Sequence, residues 1–166
     1  MLEGTDFVAI SPLEGGWSGE TYLAELATGD RVVVRIHVRR PGRAEVDAAL
    51  LRLVRGLVPV PEVLDVRRAD AATGTPALLV TEFVDGVRGD LLLPTLDAAG
   101  RARMGRALGE VAATLAGMPL LNAGAFVDAT LDVQPWDLPD GLPGFLDAHE
   151  LPEWTAGERR RLRALA

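Results

Sequence analysis

Gly15, Gly16 and Gly19 fall close together in the run Leu13-Glu-Gly-Gly-Trp-Ser-Gly-Glu-Thr-Tyr22, between two stretches of strand character. Glycine has no Cβ, so the backbone there can take positive φ, approach a ligand closely and turn its N–H groups toward an anion. The chemistry this suits is the covering of a phosphate group. A glycine-rich hairpin can also be a plain turn, so the neighbouring segments must decide. Other chemistries have less to work with. Cysteine is absent, which removes disulfides, thiolate metal sites and a cysteine nucleophile, and makes the reducing cytoplasm the expected compartment. The two histidines are His37 and His149, and His149-Glu150 has no second histidine four residues on, so the zinc-protease pattern is missing. All permanent side-chain positive charge is arginine, since the chain contains no lysine.

The elements that would position such a loop can be read from pattern and punctuation. Residues 7–13 and 21–27 carry the β-branched, aromatic and apolar residues of strands on either side of the glycines. Thr28-Gly29-Asp30 is a tight turn, and 31–39 (Arg-Val-Val-Val-Arg-Ile-His-Val-Arg) is the strongest strand signal in the chain, completing an antiparallel meander. Pro41-Gly42 interrupts it. A helix is predicted over 44–54, with Val46, Leu50, Leu53 and Val54 on one face and Gly56 at its end. Pro59-Val60-Pro61 imposes extended backbone before a strand at 62–68. A polar loop spans 70–76, an apolar strand 77–84, and Asp85-Gly86 turns the chain away.

Helical grammar takes over from there. Thr95 or Asp97 can cap a helix reaching about Gly117, striped by Met104, Ala107, Leu108, Val111 and Leu115, and Pro119 follows its end. Residues 122–144 read as a long Pro-, Gly- and Asp-rich connection, and 145–149 as a short helix. Thr155-Ala-Gly-Glu158 is a capping box opening a last helix. That helix reaches Ala166 without a C-cap, from which a truncated chain is expected; a C-terminal helix docked on the preceding elements is the alternative.

The chain of 166 residues is 48% hydrophobic, enough to bury a substantial core as one domain or two small lobes. Its net charge of −7 opposes nonspecific nucleic-acid binding, and no apolar run approaches the ~20 residues of a membrane span. No nucleic-acid or membrane partner is therefore expected. An acidic surface suits a cationic small molecule, although it is also a common means of staying soluble.

The order of strand, glycine turn, strand, hairpin, arginine-centred strand, helix with acidic residues, two strands, Asp-Gly turn and helices is that of a kinase N-lobe. Four segments carry a closer likeness: Gly15-Gly16-Trp17-Ser18-Gly19-Glu20-Thr21-Tyr22, the Val-Val-Val-Arg-Ile strand, Val58-Pro59-Val60-Pro61, and Leu78-Leu79-Val80-Thr81-Glu82-Phe83-Val84-Asp85-Gly86. Together they resemble the aminoglycoside phosphotransferase family, well over residues 6–90 and more loosely beyond. The resemblance implies an α+β fold: a protein-kinase-like N-lobe of five antiparallel strands and one helix over 1–86, then the first helical part of a C-lobe over 87–166. It implies ATP or GTP with Mg2+ as cofactor and a small-molecule hydroxyl acceptor, an antibiotic or a metabolite.

On that resemblance Gly16, Ser18, Gly19 and Glu20 belong to the phosphate-covering loop. Arg35 takes the place of the strand lysine that holds phosphates. Glu45 best matches the helix carboxylate that orients it, with Asp47 close enough to serve instead. Thr81 would back the purine pocket, while the Glu82 carbonyl and Val84 amide would meet the purine edge. The family's His-Gly-Asp catalytic loop and its later magnesium-binding Asp are not found in these residues, so no catalytic residue and no metal ligand is assigned, and the chain alone is expected to be inactive. A complete, non-catalytic kinase-like binding or regulatory module is the alternative reading.

Overall fold

The fold was analysed in a computed structural model, which describes residues 7–13, 20–120, 122–137, 144 and 155–163. Strands β1 (Phe7–Pro12), β2 (Glu20–Leu26) and β3 (Arg31–His37) form the expected meander. Helix α1 (Arg43–Val54) follows, then β4 (Val63–Arg67) and β5 (Ala77–Glu82). The five strands make one antiparallel sheet in the order β1-β2-β3-β5-β4, the kinase-like arrangement predicted from the sequence.

Register fixes which residues share a face, because directly opposed residues point the same way and alternate residues along a strand do too. Val32 and Val34 lie opposite Ala24 and Tyr22 on β2, and Val34 lies opposite Val80 on β5. Ala24, Leu26, Val32 and Val80 are buried together there, with Val34, Leu64 and Leu78 packed against them. The other face carries Val33, Arg35 and His37, opposite Thr81, Leu79 and Ala77. Helix α1 packs on that second face, as its contact with Arg35 and His37 shows.

Turn chemistry holds these strands in register. Gly29 takes φ +87° between β2 and β3, where Gly29 N–H donates to the Leu26 carbonyl and Leu26 N–H to that of Asp30. Gly56, at φ +89°, turns the chain just after α1. Between β4 and β5 the Asp70 carboxylate accepts from Ala72 N–H and the Thr73 hydroxyl, which lowers its pKa.

Four details depart from the sequence reading. The buried residues of α1 are Ala44, Val46 and Ala48, whereas Leu53, expected on the packed face, is exposed. β3 ends at His37, whose partner Ala77 is the first residue of β5. A four-residue helix α2 (Gly89–Leu92) and a 3-10 turn (Leu93–Thr95) precede α3 (Ala98–Ala116). The connection over 122–144 contains a small hairpin, β6 (Gly124–Phe126) with β7 (Val133–Pro135).

Two capping expectations are met. Asp97 caps α3 through its carboxylate, which accepts from Gly100 N–H at 2.6 Å. Thr155 and Glu158 form the reciprocal capping box at the start of α4 (Ala156–Arg163). The stripe on α3 is not covered by the described residues: Leu108 and Leu115 are exposed, and Gly100 is the one buried residue of that helix. The short helix expected over 145–149 lies outside the described residues.

Candidate functional site

Arg35 sits in the middle of the second sheet face, in a row with Thr21 on β2 and Leu79 on β5. One step toward the β3 start, Leu23, Val33 and Thr81 form the next row, and Thr81 is buried. Thr81 and Arg35 are thus brought to one face, with the apolar Val33 and Leu79 between them. Leu79 and Thr81 are buried on this face and Val33 is half-buried.

The carboxylate facing Arg35 is that of Asp47. Asp47 Oδ2 lies 3.8 Å from Arg35 Nη1 and 4.0 Å from His37 Nε2, while Arg43 Nε holds Oδ1 at 2.7 Å. Glu45 is turned away and binds Arg68 at 2.6 Å instead. The pairing that the sequence left between Glu45 and Asp47 therefore falls to Asp47, and the expected Arg35–Glu45 contact is not formed. The reason is helical geometry: two residues along a helix are ~200° apart, so only one of the pair can face the sheet. The Arg43–Asp47 pair runs against the helix dipole, with the cation in the first turn. Helix stability does not favour that placement, whereas fixing the Asp47 carboxyl does.

Glu20 opens β2 opposite Ile36, on the face away from Arg35. Its carboxylate accepts from the Tyr22 hydroxyl at 3.0 Å, which raises the Tyr22 pKa. Only the backbone of Glu20 can join a site on the Arg35 face. Gly16, Ser18 and Gly19 lie outside the described residues.

Past β5 the chain leaves the sheet. Glu82 lies opposite Val32, on the face away from Arg35, and its N–H donates to the Glu62 carbonyl at 3.0 Å. Val84 is 63% exposed, and among the described residues no backbone carbonyl accepts its N–H. Arg31 braces this exit: its guanidinium lies 4.5 Å from the Phe83 ring centroid, and Nη2 reaches both Asp85 oxygens at 2.7 and 2.8 Å. Phe83 N–H also donates to the Arg31 carbonyl. Sequence reasoning missed this clamp, since nothing in the spacing of Arg31 and Asp85 announces it. Both side chains are well exposed, so Arg31→Ala is expected to cost only ~0.5–1 kcal/mol of stability in urea denaturation.

His37 is 3% exposed, and its Nε2 makes no hydrogen bond. Burial, then the charges of Arg35 and Arg43, lower its pKa, against an opposing pull from Asp47. A histidine held neutral in the fold but free to protonate when unfolded makes the unfolded state bind more protons at acid pH. Its contribution is therefore complete above the ordinary value of 6.5 and declines as pH falls from there through the lowered folded value. Urea melts should show stability dropping with acidification from about pH 6.5, and His37→Gln should flatten that part of the profile.

No group of three or more His, Cys, Asp and Glu side chains that could hold a metal ion occurs among the described residues. No helix among the described residues is long and apolar enough to cross a membrane.

Residues 9–166 match the profile of APH, the phosphotransferase enzyme family. Among solved structures, the chain is similar to wild-type aminoglycoside 2'-phosphotransferase-IIIa in its GDP complex, with TM-score 0.54 and 22% identity over 69% of this chain and 38% of that one. The GDP and kanamycin complex of APH(2")-IIia gives the same TM-score of 0.54 and 22% identity, with 69% and 38% coverage. The chain thus spans well under half the length of these structures, and at this identity the likeness speaks for the fold. No curated protein matches significantly. Sheet order, the arginine-bearing third strand, the helix laid over it and the profile match across 9–166 lead to one conclusion: the chain belongs to the phosphotransferase enzyme family.

Proposed function

We propose that residues 1–166 supply the nucleotide-binding lobe of an ATP- or GTP-dependent small-molecule O-phosphotransferase, with an antibiotic or a metabolite as the hydroxyl acceptor. The observation that carries this reading is Arg35, set on the α1-covered face of the sheet with the Asp47 carboxylate directed at it. In such a lobe the purine lies against Val33, backed by Thr81, with the exposed Val84 N–H as donor to its edge. Arg35 engages the phosphates, and Asp47 takes the orienting role in place of Glu45. Gly16, Ser18 and Gly19, outside the described residues, are assigned to the phosphates on the sequence resemblance alone. Two GDP-bound structures of similar fold support the nucleotide part of the reading.

Phosphoryl transfer in kinase-like enzymes works by positioning and by neutralising charge. These residues can bind and orient the donor. They hold no His-Gly-Asp loop and no metal cluster among the described residues, so 1–166 alone are expected to transfer no phosphoryl group. Melting temperature with ATP–Mg2+ and with GTP–Mg2+ tests the proposal, because a ligand that binds the folded state raises it. A rise with at least one nucleotide, and none with a nucleoside lacking phosphates, is expected. Indifference to both nucleotides at millimolar concentration overturns it.

A further inference from the structure

Asp47 has more potential partners than it has oxygens to share. Arg43 Nε occupies Oδ1 at 2.7 Å, and Oδ2 lies 3.8 Å from Arg35 Nη1 and 4.0 Å from His37 Nε2. Both distances lie beyond hydrogen-bond range, so the carboxyl must shift to bond either. His37 Nε2 has no hydrogen bond in this state, although its ring is all but completely buried. An imidazolium at that depth has to find an anion.

Asp47 is the carboxylate within reach. The groups facing His37 are Arg35 on its own strand and Arg43 and Asp47 from α1; β5 presents the uncharged Ala77 directly opposite. On the β2 side the facing position comes before Glu20, outside the described residues.

We propose that His37 competes with Arg35 for Asp47 Oδ2, so that a proton taken from solvent onto His37 draws the carboxylate away from Arg35, and the Arg35–Asp47 pair forms only while His37 is neutral. His37 then acts as a pH-dependent positioning residue. Its consequence for phosphate binding rests on the nucleotide reading above, but the competition itself does not. Burial and the two arginines place the changeover below the ordinary histidine value, so at neutral pH the carboxylate belongs to Arg35.

The test is an NMR titration of the full chain from about pH 8 to pH 5, following the His37 ring, the Asp47 carboxyl carbon and Arg35 Nε–H. The ring signals are assigned by their loss in His37→Gln. All three groups are expected to shift with one shared midpoint. Asp47→Asn should lower the His37 midpoint further and abolish the pH response of Arg35. His37→Gln should leave Arg35 insensitive to pH over the same range; if that variant does not fold, the wild type and Asp47→Asn decide alone. An Arg35 signal indifferent to the His37 titration, or a midpoint unmoved by Asp47→Asn, overturns the proposal. GDP added above the midpoint keeps the two claims separate. A chain that ignores GDP while the coupled titration is intact overturns the nucleotide reading only, and one that binds GDP with Arg35 uncoupled overturns the competition only.

Discussion

Arg35→Ala should weaken nucleotide binding by ~10–100-fold, the loss of one charge-assisted contact worth ~1.5–3 kcal/mol. No other described side chain brings a permanent positive charge to the row formed by Thr21, Arg35 and Leu79. Arg35→Lys keeps the charge but gives up the planar fork that can reach phosphate and carboxylate together, so an intermediate loss is expected. The companion substitutions separate the two helix acids. Asp47→Asn should cost ~10-fold, because the partner that orients the guanidinium loses its charge. Glu45→Ala should stay within ~2-fold, since its pair with the exposed Arg68 contributes little. Isothermal titration with ATP or GTP reads all four. Equal losses for Glu45→Ala and Asp47→Asn would remove the assignment of Asp47.

Val32→Asp should leave the chain without a cooperative unfolding transition. Val32 is 1% exposed, near the start of β3, packed with Ala24, Leu26 and Val80. Burying an unpaired carboxylate there costs several kcal/mol, against a total stability for small domains of ~5–15 kcal/mol. The raised pKa such a group adopts relieves only part of that cost. Val8→Asp is the matched control: Val8 is 61% exposed on the edge strand β1, and a change of no more than ~0.5 kcal/mol is expected. Urea melts followed by circular dichroism distinguish the two, and a folded, cooperative Val32→Asp variant would contradict the placement of the core.

How much of this was legible in the sequence differs from element to element. The three-strand meander was, because 31–37 is dominated by β-branched residues and Thr28-Gly29-Asp30 supplies the φ +87° that the turn requires. The capping box at Thr155 was legible for a similar reason: two side chains at fixed spacing satisfy local donors whatever the rest of the fold does. Strand ends were less so, since β3 stops where β5 begins beside it, and a sequence does not display its pairing register. The hairpin of β6 and β7 went unseen because strands of three residues carry almost no periodicity; its only signal is Asp128, whose carboxylate accepts from Thr130 and Asp132 in the turn.

The site shows the same division. The position of Arg35 within β3 was legible from the strand pattern around it. Choosing between Glu45 and Asp47 required the rotation of α1 on the sheet, which depends on where the small residues Ala44 and Ala48 settle. The Arg31 clamp on Phe83 and Asp85 is a contact across 54 residues of sequence, and no local pattern encodes it. The burial of His37 beside Asp47 emerged only in three dimensions.

The central claim is that one face of this sheet, from Arg35 to the exit at Val84, receives a nucleotide. An amide and arginine Nε–H chemical-shift map with ATP or GTP tests it most directly, because it locates even weak binding. The expected result is a contiguous set of changes at Thr21, Val33, Arg35, Thr81 and Val84, with the hairpin of β6 and β7 unmoved. Saturating nucleotide that perturbs none of these residues, or only residues on the Val32 and Val80 face, would contradict it.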